Sequence, residues 1–207
     1  TILDKVDNVP VVLVGKNAFR SNTALQTIVI PDTVTKIDEY AFYYCSALSE
    51  VQMGAAVKTI GTYAFAYCSA LTEVRISDSV ESINSNAFYN CTALKSVYIG
   101  ESVKTIGASA FSNCTALTEI QFNAVLMNDL VSNNSVFYNA GINGEGIAVT
   151  IGSGVTKIPA YLFYSTTNGT SYLPKITTVV FENGSVCESI GSYAFYYADE
   201  LTSINLP

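Results

Sequence analysis

Four cysteines, Cys45, Cys68, Cys91 and Cys114, recur at intervals of 23 residues. Thiolates at a fixed spacing can ligate zinc or close disulfides, so metal and redox chemistry are the first readings to weigh. The chain has no histidine, which removes Ser-His-Asp and Cys-His catalysis together with His-based zinc sites. The four thiols all occupy one position of a repeat and point the same way, which gives no coordination geometry. The same column holds Asn22, Ala140, Thr166 and Ala198 in other units. Interchange of Asn, Cys and Thr points to a buried ladder making weak hydrogen bonds to the loop backbone inside each turn. Disulfides between neighbouring coils stay within reach, because adjacent coils would hold the Cα atoms about 5 Å apart. Cys187 stands outside the column. No metal and no cofactor are expected.

Carboxylate pairs are the other chemistry that needs no histidine. Glu50 and Glu73 would be neighbours on adjacent strands, at ladder spacing, in the roles glycoside hydrolysis requires. They would lie on an open spine with nothing to push their pKa values apart, so the chain is expected not to be an enzyme. Catalysis on the padded loops from Asn123 to Ser135 and from Thr166 to Ser171 would need a deep pocket there. Gly61, Gly107 and Gly191 recur before an Ala-Phe pair and read as turn markers, not as a phosphate loop. The 14 tyrosines, many flanking Phe, read as convex-side packing with wet hydroxyls or as an adhesive aromatic surface.

The elements that position these residues follow from a repeat. Ala-Phe recurs at Phe19, Phe42, Phe65, Phe88 and Phe111. Leu25, Leu48, Leu71, Leu94 and Leu117 fall six residues after each Phe, and Ile28, Val51, Val74, Val97 and Ile120 fall nine after. A third apolar column, Ile30, Met53, Ile76, Ile99 and Phe122, falls eleven after. The V-x-I segment alternates and reads as a short strand. The segment V-x-x-I-x-x-x-A-F-x-x-C mixes spacings of three and four and predicts a turn, then one helical or 3₁₀ turn around Ala-Phe. After residue 122 loops pad the unit, yet Phe137, Phe163 and Phe195 continue it. One coil cannot bury its apolar side, so only stacking closes the core. The expected organisation is a cap or linker fragment over residues 1–10 and a single solenoid of eight Phe-centred units over 11–207.

The pattern Cys-x-x-Leu-x-x-Val-x-Ile-x-x-x-Val-x-x-Ile-Gly-x-x-Ala-Phe, at Cys45 to Phe65 and Cys91 to Phe111, resembles the BspA-like (Treponema pallidum-type) leucine-rich repeats. The resemblance implies a right-handed leucine-rich-repeat solenoid with a parallel strand spine. It also implies a secreted or cell-surface bacterial protein that adheres to host proteins or to other cells. The family motif is a repeat motif, so no functional residue is carried over from it.

Half of the chain is apolar (49%), 13% is charged and the net charge is −7. Ten scattered Lys and Arg residues argue against nucleic acid, whose phosphates need clustered cations. No stretch approaches the ~20 apolar residues of a membrane span, so no membrane insertion is expected. The outward strand positions form the expected binding face: Glu50, Gln52, Glu73, Arg75, Tyr98, Glu119 and Gln121. The expected partner is a protein or a glycan on host or neighbouring cells. A structural spacer that presents another domain is the alternative. Ile204 and Leu206 start a ninth coil with nothing to cover it, which predicts continuation of the chain, a partner at that end, or end-to-end self-association.

Overall fold

A computed structural model describes residues 1–164 and 173–207; Thr166 and the Thr166–Ser171 insertion lie outside the described residues. Strands β1 (Lys5–Val6) and β2 (Val9–Pro10) pair antiparallel. Asp7 and Asn8, both at positive φ, make the tight turn between them. Ile2 lays this segment on the first coil by donating its N–H to Val29 O (3.1 Å).

The rest of the chain alternates between two kinds of short strand. The first five coils carry β3 (Leu13–Val14), β4 (Thr27–Val29), β5 (Lys36–Ile37), β6 (Glu50–Gln52), β7 (Thr59–Ile60) and β8 (Glu73–Arg75). They continue through β9 (Ser82–Ile83), β10 (Ser96–Ile99), β11 (Thr105–Ile106) and β12 (Glu119–Phe122). The padded part supplies β13 (Ile147–Ile151), β14 (Lys157–Ile158), β15 (Ile176–Phe181), β16 (Ser189–Ile190) and β17 (Ser203–Asn205). Among the described residues there is no helix.

The V-x-I strands build the spine as expected. Strands β8, β10, β12, β13, β15 and β17 form one parallel sheet, in which Val74, Val97, Ile120, Val149, Val179 and Ile204 share a register. Insertions after Phe122 therefore loop out without shifting the apolar columns. Strands β4 and β6 pair separately, and no ladder joins β6 to β8. The expectation that Glu50 and Glu73 stand at ladder spacing fails here, because the spine is interrupted between their strands.

A second parallel sheet, β3-β5-β7-β9-β11, is absent from the sequence reading. It runs through the V-x-x-I segment, where Ile37, Ile60, Ile83 and Ile106 point inward. The helical or 3₁₀ turn expected around Ala-Phe is also replaced. In one coil Ala41, Tyr43 and Cys45 donate their N–H groups three residues back, to Asp38 O, Tyr40 O and Phe42 O. The intervening Tyr40, Phe42 and Tyr44 donate to the next coil, at Thr62 O, Ala64 O and Ala66 O (2.7–3.0 Å). Tyr40 and Tyr44 have φ of 56° and 59°, and a left-handed residue breaks a 3₁₀ run. Each non-Gly residue so placed costs about 1–2 kcal/mol, offset by backbone bonds that tie one coil to the next.

Inside these ladders runs an unbroken stack of eight phenylalanines, from Phe19 to Phe195, with ring centroids 5.0–5.4 Å apart. Offset stacking at that distance adds to simple burial. The inner six rings are fully buried, while Phe19 and Phe195 at the ends are partly exposed. Phe88→Ala is therefore expected to cost about 3–5 kcal/mol, measured by urea unfolding. Phe19→Ala, with one neighbouring ring instead of two, should cost clearly less. Equal costs at the two sites would show that the stack is not what couples the coils.

Candidate functional site

The register of the spine places most of the expected binding residues in two columns. Glu73, Ser96 and Glu119 align, as do Arg75, Tyr98 and Gln121. Glu50 and Gln52 align instead with Thr27 and Val29 on the separate β4-β6 pair. All seven side chains face outward, Tyr98 and Gln121 half-buried and the other five exposed.

Several of these residues are held in place. The Arg75 guanidinium lies 3.5 Å from the centre of the Tyr98 ring, a close cation–π contact. The Tyr98 hydroxyl donates to Asp78 Oδ1 (3.2 Å), which also accepts the Glu101 N–H (3.3 Å). Desolvation, and then the Asp78 charge, raise the Tyr98 phenol above its ordinary value. Gln121 Nε2 donates to Glu182 Oε1 (2.8 Å) and Asn123 Oδ1 (3.3 Å). The carboxylates differ: Glu50, Glu73 and Glu119 take no part in the ion pairs seen among the described residues. Those pairs are Lys16–Glu39, Lys36–Asp38, Lys58–Glu81–Lys104 and Lys157–Asp129, on the second sheet, on the separate β14-β16 pair or on the turns.

Where the spine is interrupted, an open cleft of about 660 Å³ lies between β6 and β8. Glu50 and Glu73 border it, with Arg75 and Ser77. Val51 and Met53 also line it and are half-exposed, whereas their column partners Ile28, Ile30, Val74 and Ile76 are buried. Sequence reasoning missed the cleft, because Val51 and Met53 fit the apolar pattern as well as any other coil.

The cysteine column is a buried ladder of free thiols, but its bonds cross between coils. Cys45, Cys68, Cys91 and Cys114 donate to the carbonyls of Phe19, Phe42, Phe65 and Phe88 in the preceding coil (3.1–3.4 Å). The intra-turn bond expected from sequence is made by the cysteine N–H instead, as from Cys68 to Phe65 O (3.3 Å). Burial raises all four thiols, Cys114 up to about 12. Cys187 is half-buried. No group of three or more His, Cys, Asp or Glu side chains able to hold a metal occurs among the described residues.

The tyrosines of the turn side contact one another along the coils. Tyr40 stacks on Tyr63 (5.2 Å), Tyr43 meets Tyr67 edge-on (5.4 Å), and Tyr67 meets Tyr89 (5.5 Å). Arg20 covers Tyr40 and Tyr43 at 5.4 and 5.1 Å. The glycines read as turn markers have another role: a Cβ at Gly61, Gly107 or Gly191 would come within 2.3–2.6 Å of the preceding coil's backbone. They permit close approach between coils.

The model of the BspA-type leucine-rich repeat region matches residues 12–143 and 169–207, in six copies. Among solved structures, the chain is similar to the T. pallidum leucine-rich repeat protein, at 25% identity and a TM-score of 0.60, over 73% of this chain and 72% of that one. It is also similar in fold to the pneumococcal vaccine antigen PcpA, at 20% identity and a TM-score of 0.53. That alignment spans all of this chain and 60% of the pneumococcal one. No curated protein matches the chain.

The raised thiols make stability pH-dependent at the alkaline end. An unfolded cysteine loses its proton near pH 8.5, while the native ladder keeps its protons up to higher pH. The unfolded state therefore binds fewer protons in that window, and stability falls as pH rises from about 9 towards 12. Below pH 8 this contribution is fully present. Denaturant midpoints measured across that range should fall, and fall less steeply in Cys91→Ala. Thiol labelling of the native protein at pH 8 should modify Cys187 quickly and Cys68, Cys91 and Cys114 only on unfolding.

Proposed function

The chain belongs to the BspA-type leucine-rich-repeat family, and from that premise we propose that it is a non-enzymatic recognition module, secreted or on a cell surface. It would bind a protein or glycan partner through the outward face of its strand spine. The observation that carries the reading is the row of exposed carboxylates Glu50, Glu73 and Glu119, which have no cationic partner among the described residues. Beside them stands the fixed Arg75–Tyr98–Asp78 arrangement. A face built on ladders and a buried core loses little conformational entropy on binding, and Arg with Tyr supplies the anchor chemistry typical of interfaces. The family, whose members are generally surface repeat proteins, supports the location.

A binding screen against extracellular-matrix proteins, mucins and glycans tests the proposal. The expected result is a micromolar or tighter partner whose affinity drops at least tenfold when Arg75 and Tyr98 are changed to Ala together. Binding that survives this change but is lost when Tyr43 and Tyr67 are changed would move recognition to the turn-side tyrosines. No partner in the whole screen would favour a spacer that holds another domain at a distance.

A further inference from the structure

We propose that the cleft between β6 and β8 binds an extended basic peptide segment of the partner, with a Lys or Arg alkyl stem on Val51 and Met53 and its cation between Glu50 and Glu73. The inference rests on the strand-face reading above and names the chemistry of the partner.

Three independent features of the cleft point to this occupant. The interruption leaves the facing edges of β6 and β8 without the ladder that joins the other spine strands from β8 to β17. Strands β6 and β8 keep Cα pairs within 8 Å, closer than the roughly 9.5 Å an inserted strand would need, so the opening admits side chains from a segment lying along the face. The floor is apolar, because Val51 and Met53 are half-exposed where equivalent residues are sealed. The walls are acidic on balance: Glu50 and Glu73 join no ion pair among the described residues, and the single cation lining the cleft, Arg75, is held on the Tyr98 ring. An apolar floor beneath free carboxylates suits an amphipathic cation, which lays its methylenes on apolar surface and keeps its charge at the rim. The cleft's volume of about 660 Å³ lies within the range of about 300–1,000 Å³ seen for ligand clefts.

The test uses the full 207-residue chain and a fluorescent octapeptide alternating Lys and Val, read by anisotropy at low and physiological salt. A Glu–Val octapeptide and spermine serve as controls. The Lys–Val peptide should bind, more weakly as salt rises, and the Glu–Val peptide should not. The double variant E50Q/E73Q should weaken binding at least tenfold, whereas E145Q, an exposed carboxylate outside both the strand face and the cleft, should change it less than twofold. All of these side chains are exposed, so the variants should melt with the wild type. Amide exchange at Val51 and Glu73 should slow in the complex.

Displacement of the peptide by equimolar spermine would overturn the proposal, since charge alone would then account for binding. So would equal losses in E145Q and E50Q/E73Q, since acidity anywhere on the molecule would then account for binding. Absence of peptide binding would overturn the cleft alone if the screened partner still depends on Arg75 and Tyr98. Binding indifferent to every strand-face substitution would overturn both readings.

Discussion

A repeat of 23 residues obliges each side chain to sit on its own equivalent in the next coil, and the phenylalanine stack is where that constraint is most severe. Centroids 5.0–5.4 Å apart nearly match the 4.7–4.9 Å between hydrogen-bonded strands. Ring stacking and backbone ladders therefore favour the same coil spacing. The thiol bonds follow from that agreement, because each Phe carbonyl lies within reach of the cysteine one coil on. So do the left-handed tyrosines: turning every second N–H towards the next coil requires a reversal of φ that tyrosine would not adopt alone.

Much of this was legible in the sequence, and what was not has physical reasons. Apolar columns declare themselves by size and hydropathy, so the spine register was readable from Val74, Val97 and Ile120, and again after the insertions from Val149 and Val179. The second sheet was not, because ladders two residues long, such as Thr59–Ile60, have no alternation to detect. The turn geometry was hidden for another reason. Asn86 and Asn90 would have suggested left-handed backbone, but Tyr40, Tyr44, Tyr63 and Tyr67 occupy the same columns and suggest packing. Of the expected binding residues, the two columns on the continuous sheet assembled as the register required, whereas Glu50 and Gln52 stand across a break.

That break illustrates how small residues set the distance between coils. A Cβ at Gly54 would stand 2.4 Å from Pro31 O, and one at Gly100 would stand 2.6 Å from Ser77 O. These glycines draw the coils together in pairs. The spine opens at a boundary between two such pairs, where β6 and β8 are three residues each. At the next boundary β10 and β12, four residues each, keep the ladder closed. The glycine column thus sets which coils approach most closely, and it changes nothing in the hydropathy pattern from which the fold is read.

The two long faces of the solenoid then divide the polar chemistry between them. On the second sheet and the turns, lysines are spent on neighbouring carboxylates, as in Lys58–Glu81–Lys104, and exposed pairs of this kind contribute little to stability. Their effect is to neutralise that side, while the tyrosines beside it engage one another and Arg20. The strand face keeps its carboxylates free and its one stacked arginine fixed. Screening confines an exposed charge to about 8–10 Å, so a partner senses the local excess on a face more than the net charge of the molecule. The same 23-residue period that builds the core therefore sorts charge by face, and the strand face is the one on which Glu50, Glu73 and Glu119 stay outside the ion pairs of the described residues.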